Sequence, residues 1–200
     1  MAEDHVDKHR RRFLTAVTAG VGAVGGIAAV VPFVESMSPS ARARAAGAPI
    51  RVDISKLKVG QMIRQEWRGK PVWVLKRSDE MLASLDAVEG ELVDPMSEVT
   101  SQQPGYVDPE TRSVKPEILV LVGICTHLGC APVQNFAIGA ESGLGEDWQG
   151  GFFCPCHGSK FDLAGRVYKN VPAPTNLVVP PHRFETDTTI VVGEDPEGVA

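Results

Sequence analysis

From Phe13 to Val34 the chain reads "FLTAVTAGVGAVGGIAAVVPFV", 22 residues without a single charge. A helix of that length spans roughly 33 Å at about 1.5 Å per residue, enough to cross the ~30 Å hydrocarbon layer of a bilayer. Immediately before it stand Lys8, Arg10, Arg11 and Arg12. Positive charge at the start of an apolar run holds that end in the cytoplasm and sends the downstream chain across the membrane. The chain is therefore expected to divide into a cytoplasmic segment (1–12), a transmembrane helix (13–34) and an exported remainder.

A cleaved signal peptide has a shorter apolar core of ~7–15 residues, so the length favours a retained anchor, although "ARARAAGA" offers small residues to a peptidase. Arg10 and Arg11, followed by Arg12-Phe13-Leu14, match the twin-arginine export pattern R-R-x-F-L, a route for proteins already folded around a cofactor. Gly22 and Gly26 give the G-x-x-x-G spacing that lets one membrane helix pack closely on another. Setting aside residues 1–12, with four basic and three acidic side chains, leaves 16 Lys+Arg against 22 Asp+Glu. So acidic a domain is not built for nucleic acid.

Residues 35–49 are small and Pro-punctuated, without apolar periodicity, and read as a flexible linker. From Ile50 onward short β-branched and aromatic runs alternate with turn residues: "IRVDI", "GQMIRQEW", "KPVWVLKRS", "EILVLVGI", "NLVVPPHRFET" and "TTIVVGE". Arg68-Gly69 is placed to make a hairpin, and "DEMLASLDAV" is the one short helical candidate. Residues 50–200 are thus expected to form one all-β domain, with 94–117 as a turn-rich surface excursion and 135–151 as a Gly-rich loop. His5, His9 and His182 read as ordinary surface residues.

All four cysteines of the chain lie in two boxes. "GICTHLGCAP" carries Cys125, His127 and Cys130, and "FFCPCHGSKFD" carries Cys154, Cys156 and His157. A structural zinc site wants four ligands, usually from C-x(2–4)-C knuckles, and here six candidates sit at other spacings. Cys125-x4-Cys130 matches the opening of a plant-type all-cysteine cluster, but the following C-x2-C is missing. Two disulfides would suit an exported domain and leave both histidines unexplained. A fourth reading uses all six: one thiolate and one imidazole from each box on a two-iron cluster, with two cysteines over for a disulfide.

"CTHLGC" and "CPCHGS" resemble the two cluster loops of the Rieske iron–sulfur proteins, in particular those of quinol-oxidising cytochrome bc complexes. The likeness extends to the arginine-led anchor, the linker, the β domain and "VPAPTNLVVP", and so covers most of the chain. It implies an all-β Rieske fold of antiparallel sheets, with a cluster-binding subdomain at about 118–174, behind one N-terminal membrane helix. It implies one [2Fe-2S] cluster, with Cys125 and Cys154 on the inner iron and His127 and His157 on the outer, and a Cys130–Cys156 disulfide joining the loops. Rieske-type oxygenases share the histidine–cysteine pattern but generally lack that second cysteine pair.

The resemblance also implies a mechanism. Imidazole in place of thiolate lowers the negative charge around the iron and raises its potential. His157, with His127 as the second exposed ligand, is expected to take a proton from quinol as the cluster takes an electron, which then passes to a c-type cytochrome. Cytochrome b and c-type subunits are the expected partners, in a dimeric complex of a bacterial inner membrane with the β domain periplasmic and residues 35–49 as hinge. A Rieske subunit of a periplasmic oxidase of the arsenite-oxidase type is the alternative. Ser159 is expected to donate to a cluster sulfur, Leu128 to be an apolar docking tip, and Pro172 to belong to the proline loop shielding the cluster. At Phe161, where the family often has tyrosine, one donor toward sulfur is missing. Phe161→Tyr is expected to raise the midpoint potential by roughly tens of millivolts, and redox titration of the purified protein checks it.

Overall fold

The computed structural model describes residues 7–198 and divides the chain into two compact units, one ending at Ala45 and the other starting at Ala46. The first six residues of the basic leader, His5 among them, lie outside the described residues.

In the first unit α1 runs Lys8–Ser36, so the apolar run sits inside a longer helix of 29 residues. The Asp7 side chain caps it, accepting from the His9 and Arg10 amides at 2.9 and 3.1 Å. Four basic side chains in the opening turns oppose the helix dipole, so helix stability is not what places them there. No side chain of α1 is buried, and Phe13, Val21, Val24, Ile27 and Phe33 all stand out from it. The helix is long and apolar enough to cross a membrane. Pro32 removes one intrahelical donor without ending it. The segment expected to be featureless linker contains a six-residue helix, α2 (Ala41–Ala46), started by the Ser40 hydroxyl on the Ala43 amide. Alanine and arginine are strong helix formers, which the search for apolar periodicity does not register.

The second unit is built from three three-stranded antiparallel sheets. The central one orders β2 (Met62–Trp67), β3 (Lys70–Lys76) and β4 (Ile118–Val122). β2 and β3 meet at Arg68-Gly69, with φ of 52° and 69°, the left-handed pair that a two-residue hairpin demands. β3 and β4 are buried on both faces, which explains the continuous rather than alternating apolar text of "VWVL" and "ILVLV". Period-two geometry then sorts the side chains. Val72, Val74, Ile118 and Val120 face one core with Val52, Ile190 and Val192; Trp73, Leu75, Leu119 and Leu121 face another with Phe152, Phe161, Cys125 and Cys154. The first core is closed by β1 (Ile50–Asp53), β9 (Thr189–Val192) and β8 (His182–Thr186), in that order. The second is covered by β5 (Val133–Asn135), β6 (Gly151–Cys154) and β7 (Ser159–Phe161). β4, at the start of the segment expected to bind the cluster, belongs to the central sheet. The expected short helix is present as α3 (Asp79–Ala87), capped by Ser78.

Three expectations need correction. "NLVVPPHRFET" is a strand only from His182. Pro180 and Pro181 have no amide to give a ladder, and the residues before them spread their backbone bonds over Gly165, Val122 and Gln102. Segment 94–117 is not merely a surface excursion, since it inserts Val107, Arg112 and Ser113 into the interior. His182 is no surface histidine: its side chain is 0% exposed, with Nδ1 2.9 Å from the Pro180 carbonyl. His9 is exposed on α1, as expected.

Burial holds the His182 ring below its ordinary pKa, against the opposing pull of the Pro180 carbonyl and Asp195. The unfolded chain binds this proton more readily, so stability falls as pH drops below the ordinary histidine range near ~6.5. His182→Gln is expected to flatten that acid limb while leaving the neutral-pH arm in place; urea melts between about pH 7 and 5 read the difference.

Candidate metal centre

Both boxes fold into the same turn. The Gly129 amide returns to the Cys125 carbonyl at 3.0 Å, and the Gly158 amide to the Cys154 carbonyl at 2.9 Å. Each turn thus closes on a glycine four residues after its first cysteine, with φ of 81° and 79°. At the fifth residue the chain pairs back: Cys125 N donates to Cys130 O at 2.8 Å, and Cys154 pairs with Ser159 across β6 and β7. The C-x3-G spacing that both boxes share is the sequence signal for these turns, overshadowed there by the cysteines and histidines.

The twin turns sort the donors by depth. Cys125 and Cys154 are buried, and the Cys125 sulfur is faced by the Cys154 thiol and the Ser159 hydroxyl. Burial pushes the Cys125 thiol above its ordinary range, opposed first by the His127 amide. His127 and His157 project outward as an edge-to-face pair, ring centroids 4.8 Å apart. His127 is half-buried and His157 exposed. Leu128, next to His127 in the first turn, is 71% exposed.

Cys130 and Cys156 form a disulfide between the two turns, with Cα atoms 6.7 Å apart. Their sulfurs and Cys154 Sγ lie within 4.8 Å of one another, but two of these three are spent on the bridge and cannot serve as thiolates. The donor set left for a metal is two inner sulfurs and two outer nitrogens, which fits the asymmetric demand of a [2Fe-2S] group with two histidine ligands. The bridge spans 26 residues, for which loop entropy gives a stabilisation of ~3.5 kcal/mol. Replacing both cysteines by serine is expected to lower thermal stability by an amount of that order and to make the cluster labile; melting and absorbance decay measure the two effects.

The remaining support comes from segments distant in sequence. The Thr126 hydroxyl donates to the Thr175 carbonyl at 2.6 Å, tying the first turn to the proline loop. The Ala173 amide donates to Ser159 Oγ at 3.1 Å, tying the second turn to the same loop and leaving the Ser159 proton free for the sulfur it faces. Ala173 is buried, whereas Pro172 and Pro174 are exposed. Phe161 is fully buried beside Phe152.

Beyond β7 the turn Asp162–Arg166 is held by three buried guanidinium groups. Arg77 Nη1 donates to the Leu163 carbonyl at 3.0 Å, Arg112 Nη1 to the Ala164 and Gly165 carbonyls at 3.2 Å, and Arg166 Nε to Asp162 Oδ2 at 2.7 Å. Burial pulls both Arg77 and Arg112 down to about 10, so each keeps its proton at neutral pH. No periodicity or motif marks these arginines in sequence.

A family model described as "Rieske [2Fe-2S] domain" matches residues 51–181, and one described as "Ubiquitinol-cytochrome C reductase Fe-S subunit TAT signal" matches residues 1–40. The chain is 62% identical over 195 residues to the ubiquinol-cytochrome c reductase iron-sulfur subunit of Allochromatium vinosum, covering 98% of this chain and 93% of that one. It is 44% identical to the protein of that description from Blastochloris viridis, over 96% of this chain and 97% of the other. The corresponding Rhodospirillum rubrum protein is 42% identical, over 94% and 93%.

Proposed function

The chain belongs to the Rieske [2Fe-2S] proteins, among the iron–sulfur subunits of ubiquinol–cytochrome c reductase, and on that premise we propose that it accepts electrons from quinol and passes them to a c-type cytochrome. One observation carries the reading: two imidazoles stand together at an exposed apolar tip above two buried thiols, with a disulfide locking the turns that bear them.

Cys125 and Cys154 would hold the inner side of a [2Fe-2S] cluster, and His127 and His157 the outer. When bound, the cluster supplies a one-electron acceptor. The chain supplies the rest. Leu128, apolar and exposed beside the rings, seats the tip in a quinol pocket, and burying its side chain there contributes ~2 kcal/mol. His157, the more exposed imidazole, accepts a hydrogen bond from a quinol hydroxyl through its non-ligating ring nitrogen and takes the proton. The proline loop and the Phe152–Phe161 pair keep water from the buried sulfurs.

The basic residues in the opening turns of α1 favour an N-terminus on the cytoplasmic side and a β unit on the periplasmic side of a bacterial inner membrane. Cytochrome b and c-type subunits are the partners, within a dimeric complex. Residues 35–49, the last two residues of α1 and a stretch whose only regular element is α2, serve as the hinge that carries the tip between quinol and haem.

The test is quinol-dependent reduction of cytochrome c in washed membranes, together with the low-temperature spin signal of the reduced chain. A rhombic signal and turnover lost on removing this chain are expected. A colourless protein, or a signal unaffected by loss of the histidines, would overturn the assignment.

A further inference from the structure

Asp162–Arg166 is the most densely charged part of the interior. Arg77, Arg112, Arg166 and Asp162 are each at most 3% exposed, giving three buried cations to one buried anion. The other carboxylates near them, Asp94, Asp108 and Glu117, are half-buried or exposed, where water screens them. Few folds keep such an excess, because an uncompensated interior charge is costly. Here the guanidinium groups are solvated by backbone. Arg112 alone donates to Gln103 Oε1 and to the carbonyls of Gln102, Ala164, Gly165 and Leu177, and it holds φ at 51° to do so. A neutral side chain could tie down this turn with fewer bonds and no charge penalty, so the charge itself calls for a use.

The turn lies directly behind the metal centre. Asp162 follows Ser159, the residue facing the Cys125 sulfur, by only three positions, about 10 Å along a strand. Leu163 and Ala164 pack in the same buried hydrophobic core as Cys125 and Cys154. Across such a medium a fixed positive charge acts at longer range than in water. Adding an electron to a cluster adds negative charge, and net local charge is one of the levers that set its potential.

Resting on the cluster reading above, we propose that Arg77, Arg112 and Arg166, outnumbering Asp162, form a buried cationic platform that raises the midpoint potential of the cluster while pinning the turn beneath it. These are positioning residues, since none touches the reacting atoms.

The experiment is redox titration of the full chain carrying Arg112→Gln, Arg112→Lys or Asp162→Asn, each checked for an intact cluster by its spin signal. Gln keeps donors at Arg112, and Asn keeps an oxygen for the Ala164 and Arg166 amides that Asp162 Oδ1 now serves. The expected result is a downward shift for Arg112→Gln, an upward shift for Asp162→Asn, and an unmoved potential for Arg112→Lys despite a lower melting temperature. Structural damage alone would move the first two the same way. Shifts of one sign, or none in variants with intact clusters, overturn the platform. Should Arg112→Gln fail to keep a cluster, Arg77→Gln replaces it, and failing both, the sign of the Asp162→Asn shift decides. A missing mixed-ligand signal in the unsubstituted chain would instead defeat the cluster reading itself.

Discussion

Cys125→Ala is expected to yield a folded, colourless protein with no spin signal and no quinol–cytochrome c turnover. Cys125 is buried beside Cys154 at the base of the site, and among the described residues no other free thiol remains to take its place. Cys130 and Cys156 are bound to each other. The fold should survive, because trimming a cysteine to alanine removes little volume from the core and the disulfide still ties the two turns. The loss of stability in the metal-free comparison should therefore stay within about 1–2 kcal/mol. Iron analysis, absorbance and circular dichroism on the same preparation separate a missing ligand from a missing fold. Retention of colour would show that Cys125 is not a ligand. The same loss is expected for His127→Ala and His157→Ala, without any core defect, since both rings project outward.

Gly151→Ala should be nearly as damaging for a different reason. Gly151 opens β6 at φ 150°, and a β-carbon built there collides with the Phe161 carbonyl and presses on the Asp162 backbone. Neither neighbour is the loose end of a side chain. Phe161 is locked in β7 opposite Phe152, and Asp162 belongs to the turn held by the arginines. To admit one methyl group, β6 and β7 must separate where they carry Cys154 and Ser159. The expected cost is about 3–5 kcal/mol, from overpacking against backbone plus an unfavourable backbone conformation. Chemical denaturation measures it, and cluster content at growth temperature gives a second reading. Gly60→Ala, at φ 77° with open space around it, supplies the control: strained by its backbone but free of collision, it should cost distinctly less.

The two substitutions probe different information in the chain. The ligand candidates announce themselves, because cysteine and histidine are scarce and their chemistry is specific, so two short boxes and a charge-free run suffice to place a metal centre behind a membrane helix. Strand positions are also legible wherever local text decides: Arg68-Gly69 can do little but turn, and "ILVLV" can do little but be buried. The arginine platform and His182 are not legible. Arginine and histidine usually stand at the surface, and nothing in the flanking residues of Arg112 reports a cage of carbonyls, three of them contributed from 50 or more positions away. Nor does anything beside His182 report that its ring is closed off from water.

By itself, then, the sequence determined the anchor, the β character and the six side chains of the two boxes, since each rests on residue chemistry or on a period of two or 3.6 that acts between near neighbours. Tertiary structure alone decided which donors lie deep and which face outward, that 94–117 enters the core, and that three cations share one buried anion. Those outcomes depend on what distant segments bring together, and burial is a property of the assembled fold that no local stretch encodes.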